Sequence, residues 1–539
     1  MPTPPVPPRH APYRAALSSV ALIGTMLLGA GCTSRAERAA EAMAAGQQLA
    51  AAGQYGPAQG QFDIAIAARD DLPELWLLRA RNQIALNDYA GAYGSFRNVL
   101  DQDRTNREAL DAVSQLSLAT GRLDDARDYS SQILALDPNN VGGLIVAATA
   151  AFRQGLYDQA EGQLKRALQL APDTESALVL QSQFAMRRGR FDQAGAVLQP
   201  IFLKSGGSRD VRRQLMTVYE HAADAKGMLA VATRNVAAEG DDIAHRLTLA
   251  RQMLLTGDRA GGAAQLNRIH ATRPGDARRD ATIAMLADAD IPTATLAPAL
   301  ATLSEPDPDL TLALADYALV RQDHAVAERL LAPLIAGRPA GVGTADLYGA
   351  RAHALAGLGR YGDAARFAAA ALRFDREQTD ALMARVLIQL AARKAASALR
   401  DVRIVAAENP DFAPGYALLR RALIAAGEPL LADRALFDAV NANRNDPVAL
   451  RQLAAMLVAN GRERDALDYA RSFSLRNVAS VAGWTIRGDL CRITGDNACV
   501  GRARAIVARL HGQSVPLPPV PADERTDQNA ADAADVKDN

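Results

Sequence analysis

The hexapeptide GRLDDA at residues 121–126 returns as GLYDQA at 155–160 and as GRFDQA at 189–194. The interval is 34 residues each time, and glycine, a bulky apolar residue and alanine keep the same three offsets. A regular period of this length is typical of repeat architectures, in which each repeat is one supersecondary unit. The same register reaches further turn residues along the chain, namely Gly53, Asn87, Ala223, Gly257, Gly359, Arg393, Gly427, Gly461 and Gly495.

The residues around each turn indicate a helical hairpin. Small side chains stand seven residues before the turn residue, as at Ala80 and Ser114, and bulky apolar ones nine residues after it, as at Phe62 and Phe96. Small residues let two helices approach closely, and bulky ones fill the space between neighbouring hairpins. Proline cannot continue a helix interior, so it suits the junction between hairpins. It recurs seventeen residues after the turn, at Pro138, Pro172, Pro274 and Pro410.

This pattern resembles the tetratricopeptide repeat (TPR), a helix-turn-helix unit of 34 residues. The resemblance covers about residues 39–512. It implies an all-α fold, a right-handed superhelical solenoid of about 13 repeats. A generic helical bundle would explain neither the fixed period nor the recurring offsets.

The register shifts in one region. The turn residue Gln322 follows Gly257 by 65 residues instead of 68, and 37 residues then lead to Gly359. We therefore predict an N-terminal sub-array, a degenerate repeat and a C-terminal sub-array, with bounds at 39–276, 277–307 and 308–512. The degenerate repeat is either a hinge or a repeat that has lost the consensus residues but still stacks on its neighbours.

The first residues predict export. Residues 1–14 hold two arginines and no acid, and an apolar or small run over 15–30 follows. A basic start, a short apolar run and small residues before the break are typical of a signal peptide, and the run is too short for a comfortable membrane span. The sequence LGAGC (28–32) resembles a bacterial lipobox, although Gly29 stands where leucine is usual. This resemblance implies a signal peptide over 1–31, a lipid on Cys32 and a tether over 32–38; an ordinary signal peptide with an incidental cysteine is the alternative.

The segments that follow suggest where the mature protein resides. No aspartate follows Cys32 directly, which favours the outer membrane, with the protein facing the periplasm. No second apolar stretch reaches about 18 residues, so we expect no membrane-spanning helix after the leader. The tail over 513–539 begins rich in proline and ends polar and acid-rich, which predicts disorder.

Composition and motifs argue against several functions. The chain has 60 basic and 60 acidic residues, so no positive excess favours nucleic-acid binding. Its seven histidines are scattered and form no HExxH, and the chain has no phosphate-binding loop and no GxSxG motif. We therefore predict no catalytic residues, no metal, no cofactor and no enzyme activity.

The TPR resemblance implies a protein-binding groove. The family's groove positions lie six, three and two residues before each turn residue. At the first position stand Gln47, Arg81, Gln115, Thr149, Gln183 and Arg251, and at the other two Phe152, Arg153, Met186 and Arg187. Side chains of this mixture suit an extended or helical peptide segment of another protein.

Two cysteines near the end of the array predict a disulfide. Cys491 and Cys499 lie four residues on either side of the turn residue Gly495. They are the only thiols left once Cys32 is acylated, and the compartment that the leader implies is oxidising. Two buried cysteines without a bond are the alternative.

By resemblance, the protein is a non-enzymatic scaffold anchored in the bacterial envelope. Lipoproteins with such arrays support the assembly of pili of the tight-adherence and type IV kinds, and of secretion machines. One alternative is a periplasmic scaffold for exopolysaccharide synthesis or export. Another is the accessory arm of a cell-wall enzyme, although no stretch outside the repeats is long enough for a catalytic domain.

Overall fold

A computed structural model describes residues 34–240, 242–272 and 275–518, and these residues form an all-α protein. The leader with Cys32, Pro274 and the tail beyond residue 518 lie outside the described residues. The described helices are α1 (Arg35–Ala51), α2 (Tyr55–Ala68), α3 (Pro73–Ala85), α4 (Tyr89–Gln102), α5 (Arg107–Ala119), α6 (Leu123–Leu136), α7 (Val141–Arg153), α8 (Tyr157–Leu170), α9 (Glu175–Arg187), α10 (Phe191–Ser205), α11 (Arg209–His221), α12 (Ala225–Glu239), α13 (Ile243–Leu255), α14 (Arg259–Thr272), α15 (Asp276–Asp288), α16 (Leu296–Leu300), α17 (Pro308–Val320), α18 (His324–Ile335), α19 (Ala345–Gly357), α20 (Tyr361–Leu372), α21 (Thr379–Ala391), α22 (Ala395–Glu408), α23 (Ala413–Ala425), α24 (Pro429–Ala442), α25 (Pro447–Ala459), α26 (Glu463–Arg476), α27 (Val481–Thr494) and α28 (Asn497–Leu510).

The helices pair as the sequence period predicts. Each odd-numbered helix packs against the even-numbered helix that follows it, with α15 and α16 as the exception. The described chain is therefore a TPR-like solenoid of about 14 repeats, which confirms the predicted all-α repeat fold. The sequence predicted about 13, and the further unit is the irregular one, in which a turn of 3-10 helix at Thr293–Thr295 precedes the five-residue α16.

The residue at each turn reverses the chain in the left-handed backbone region. Gly121 has φ 74°, and the amide of the next residue, Arg122, donates to the carbonyl of Ser117 at 2.8 Å. This hydrogen bond closes the carboxyl end of α5 in the manner of a Schellman motif, for which glycine is favoured. Asn87 and Arg393 take the same conformation without being glycine, with φ 60° and 57°. The period therefore locates the turn even where the preferred residue is missing.

Small residues let the paired helices approach. The alanine five residues after the turn is fully buried in successive hairpins, at Ala58, Ala92, Ala126, Ala160 and Ala194. The bulky residue four positions further on is also buried, as at Phe62, Phe96, Leu164 and Leu198. Both sets occupy the packing positions that the sequence predicted.

The described residues fall into two compact units. The first contains α1–α8 and ends at Leu170, and the second begins at Ala171 and contains α9–α28. In the part of the chain that the structure describes, no helix is both long and apolar enough to cross a membrane.

The second unit curves until its last repeats contact its middle ones. Helix α15 packs against α25 and α27, and one hydrophobic cluster joins Leu255 and Leu310 to Trp484 and Leu510. Arg251 on α13 pairs with Asp288 at 3.0 Å and also donates to the carbonyl of Ala479. Arg251 was predicted to line a groove, and within this unit its guanidinium instead joins the two sets of repeats.

Candidate functional site

A stripe of polar side chains crosses the first unit. Gln47 on α1, Arg81 on α3 and Gln115 on α5 are exposed at the same position of successive repeats, and Thr149 on α7 is half-buried. Arg81 bridges two repeats, because its Nε lies 2.6 Å from Oε1 of Glu108 at the start of α5. This hydrogen bond lowers the pKa of the Glu108 carboxyl. The stripe therefore presents amides and a charged pair on consecutive odd-numbered helices.

A second stripe, three residues further along each helix, is apolar. It consists of Ile84, which is 37% exposed, and of Leu118 and Phe152, which are half-buried. The Phe152 ring meets the ring of Tyr157 edge-on, with centroids 5.6 Å apart. Sequence reasoning named Phe152 but missed Ile84 and Leu118, although they stand at the same offset from the turn.

Arg153 has a structural contact in the first unit. Its Nη1 donates to the carbonyl of Leu118 at 3.0 Å, across the ends of α7 and α5. The guanidinium is half-buried and satisfies a carbonyl at the end of a helix. Arg153 therefore contributes to the alignment of these repeats.

The other three predicted groove residues lie on α9, in the second unit. Gln183 and Met186 are both half-buried and both contact Gln214 of α11. The Gln214 amide donates to the Met186 sulfur at 3.1 Å, and the Gln183 amide lies 3.5 Å from the Gln214 oxygen. Arg187, at the end of α9, is exposed. The structure thus divides the seven predicted residues into two groups, with Arg81, Gln115, Phe152 and Arg153 in the first unit.

The odd-numbered helices of the second unit carry partly buried carboxyl groups. Burial raises the pKa of Asp316 on α17 well above its usual range, and the negative charge of Asp380 on α21 raises it further. Burial also raises the pKa of Asp280 on α15. Arg279 offsets part of this charge, because it lies 3.0 Å from Asp346 and 3.1 Å from Asp309. The second unit therefore presents carboxyl groups on these helices, whereas the groove residues predicted from the sequence include no acidic side chain.

A buried histidine network fixes the irregular repeat. His270 Nδ1 lies 2.7 Å from Asp309, and its Nε2 lies 3.1 Å from the Thr282 hydroxyl. A hydroxyl, an imidazole and a carboxylate in this order resemble a nucleophilic triad. His270 and Thr282 are completely buried, so a substrate has no approach to them. We interpret the network as structural, holding α14, α15 and α17 together.

The last repeat contains a cross-link. Cys491 on α27 and Cys499 on α28 are joined by a disulfide, with Cα atoms 5.9 Å apart. The carboxylate of Asp496 accepts a hydrogen bond from the Cys499 amide at 3.0 Å and caps α28. These three side chains lie close enough to hold a metal ion, but a disulfide leaves no thiolate to ligate it.

Comparison with protein families agrees with this architecture. Residues 117–183, which include the end of α5 and most of α9, match the model of the tetratricopeptide repeat. The match and the repeated hairpins define a TPR repeat protein, a scaffold for protein–protein interactions. No enzymatic domain is identified in the described part of the chain.

Solved structures resemble the chain at low sequence identity. The TPR domain of P58(IPK) is 15% identical, with a TM-score of 0.28, over 72% of this chain and 98% of that one. PilW, described as a widely conserved type IV pilus biogenesis factor, is 17% identical, with a TM-score of 0.32, over 38% of this chain and 94% of its own. A TPR protein from Parabacteroides merdae is 13% identical, with a TM-score of 0.29, over 49% and 92% of the two chains. No curated protein matches the chain in sequence.

Proposed function

We propose that this protein is a non-enzymatic docking scaffold, held at the outer membrane by a lipid on Cys32 and exposed to the periplasm. Its first unit binds a peptide segment of another envelope protein. The observation that carries the proposal is the pair of stripes on that unit, with Arg81 and Gln115 in the polar stripe and Ile84 and Phe152 in the apolar one.

The two stripes have complementary roles in recognition. The Gln47 and Gln115 amides and the Arg81 guanidinium are donors that suit the backbone or a carboxylate of a bound segment. Ile84, Leu118 and Phe152 supply apolar surface at one-repeat intervals, as anchors for an amphipathic helix or for the apolar side chains of an extended peptide. A partner that matches both stripes gains specificity from the polar one and most of its binding free energy from the apolar one.

The process that we propose for the scaffold is the assembly of a pilus, of the tight-adherence or type IV kind, or of a secretion machine. The lipobox-like leader and the repeat array support this proposal. A scaffold for exopolysaccharide export is the alternative, and loss of surface pili rather than of polysaccharide in a deletion strain distinguishes the two. If the protein were the accessory arm of a cell-wall enzyme, the deletion strain would instead show altered peptidoglycan cleavage.

A matched pair of substitutions tests the site. Ile84→Glu places a charge in the apolar stripe of α3, whereas Ile64→Glu makes the same change on α2, where Ile64 is 52% exposed. Either change at a solvent-accessible position should alter the free energy of unfolding by about 1 kcal/mol or less. We expect the deletion strain to be complemented by the Ile64 variant but not by the Ile84 variant. Full complementation by both would exclude the apolar stripe as the binding site.

A further inference from the structure

A cleft of about 670 Å³ lies in the second unit, between segments far apart in sequence. One side is formed by the turn after α9 and by the end of α11, and the other by the end of α26 and by α27 and α28. Its walls combine aromatic and aliphatic side chains, among them Phe191, Val478, Trp484 and Ile506. A volume of this size lies within the range of about 300–1,000 Å³ that is common for ligand sites.

The chain itself enters this cleft after its last helix. Helix α28 ends at Leu510, and Arg509 Nη1 then donates to the carbonyl of Val515 at 3.3 Å. The next three residues, Pro516, Leu517 and Pro518, line the cleft. The described chain therefore ends with a proline-containing segment placed against an apolar and aromatic surface.

We propose that this cleft is the docking site of the chain's own C-terminal segment, of which residues 515–518 are described. Four of the seven residues at 515–521 (VPLPPVP) are prolines. Such a segment favours the extended polyproline II conformation before it binds, so it loses little conformational entropy on docking. Grooves with aromatic walls are the usual receptors for this conformation.

The charges of the tail and of the cleft also support the tail as the occupant. Beyond residue 521 the tail holds six acidic and two basic residues. The charged side chains that line the cleft are three arginines and two acids, Arg190, Arg502, Arg509, Asp192 and Glu220. The cleft therefore has a positive balance that matches a negatively charged tail.

A docked tail limits the access of other peptides to the cleft. A tethered segment is present at an effective concentration of about a millimolar, so it competes with any free peptide of similar sequence. The cleft accepts a proline-rich segment from another protein only after the tail leaves. The tail therefore acts as an internal competitor at this cleft, and this role is independent of the binding site on the first unit.

A binding assay with the full chain tests the proposal. In one variant, P516G, L517S and P518G remove the docking residues without changing the length of the chain. A fluorescent peptide with the sequence of residues 513–525 is titrated against both chains, and its anisotropy gives the dissociation constant. We expect the variant to bind the peptide at least about tenfold more tightly than the unsubstituted chain, because its own tail no longer competes.

Charge variants and a scrambled peptide provide the controls. R190E with R509E, added to the tail variant, should weaken peptide binding, whereas R403E on α22, an exposed arginine outside the cleft, should not. A scrambled peptide of the same composition should not bind. Equal binding by both chains, or no binding by the tail variant with its helical circular dichroism intact, would overturn the proposal. If the triple substitution prevents folding, L517D, which changes one side chain that is 36% exposed, supplies the same comparison.

Discussion

Arg451 Nη2 lies 3.2 Å from Asp290 Oδ1, although 161 residues separate the two side chains in the sequence. The same carboxylate accepts a hydrogen bond from Arg321 on α17. Asp290 therefore joins the irregular repeat both to its neighbour and to α25, five repeats later. This shared carboxylate links the middle of the second unit to its last repeats.

Substitution of Asp290 should weaken the second unit. Asp290 has φ 49°, a conformation that asparagine also adopts readily, so Asp290→Asn removes the charge with little change in backbone preference. Its side chain is only 16% exposed, and two arginines lose their partner. We expect a loss of about 1–2 kcal/mol in the free energy of unfolding, measured by urea denaturation.

An exposed ion pair provides the control for this experiment. Asp489 pairs with Arg492 within α27 and is 51% exposed, so Asp489→Asn should change stability by less than about 0.5 kcal/mol. If the two variants denatured at the same urea concentration, the link through Asp290 would not stabilise the unit.

The stability of the second unit should depend on the charge of Asp446. This side chain accepts a hydrogen bond from the Val448 amide at the start of α25, and burial raises its pKa from 3.8 to about 6. The unfolded chain loses this proton near pH 4 and the folded chain near pH 6, so stability falls as the pH rises through this interval. Asp446→Asn keeps a capping acceptor without the charge.

The asparagine variant should therefore be more stable at pH 8 by about 1–3 kcal/mol, the upper value corresponding to the full pKa difference. At pH 3.5 the two proteins should unfold alike, since the carboxyl is mostly protonated in both states. Thermal denaturation at both pH values measures the difference. A variant that is less stable at pH 8 would show that the ionised carboxylate stabilises the fold.

The disulfide should protect the end of the array. Closure of the short loop between Cys491 and Cys499 contributes about 2–3 kcal/mol in the chain-entropy model. Replacement of both cysteines by alanine should therefore increase hydrogen exchange in α27 and α28, with little change in α1–α8. Thiol counting on denatured protein purified from the periplasm without reductant checks the bond directly, and two free thiols from these positions would rule it out.

The lipid anchor is tested at Cys32. Two or three acyl chains hold a protein far longer than one chain, at about 0.8 kcal/mol per buried CH₂ group. Cys32→Ala should therefore release the protein into the soluble periplasmic fraction or leave it uncleaved at the inner membrane. If the variant still fractionated with the outer membrane, a lipid on Cys32 could not be the anchor.

The period of the sequence determined most of what could be predicted. It located the left-handed turns at Asn87 and Arg393, where no glycine indicates them, because the offsets of small and bulky residues fix the register of each hairpin. It also placed Cys491 and Cys499 on facing ends of one hairpin. These relationships are local, within or between adjacent repeats.

Contacts between distant repeats could not be predicted in the same way. The bond from Arg251 to the Ala479 carbonyl depends on the small rotations that accumulate over seven repeats, and no short motif encodes their sum. The same limit applies to Arg451 and Asp290. The contact of Arg153 with the Leu118 carbonyl follows from the path of the α5 backbone, which a side-chain pattern does not report. The place of Arg153 in a binding groove stays a prediction.

The polar and apolar stripes of the first unit are proposed to bind another protein. The most direct test is photo-cross-linking in living cells, with a photoreactive amino acid at position 115 on α5 or at position 132 on α6. Both positions hold an exposed glutamine, and the two helices belong to one hairpin. We expect the residue at position 115 to cross-link to one defined envelope protein and the residue at position 132 not to cross-link to it. The substitution Ile84→Glu should abolish the cross-link from position 115, whereas Ile64→Glu should preserve it. Equal cross-linking from both positions, or a cross-link at 115 that survives Ile84→Glu, would contradict the claim.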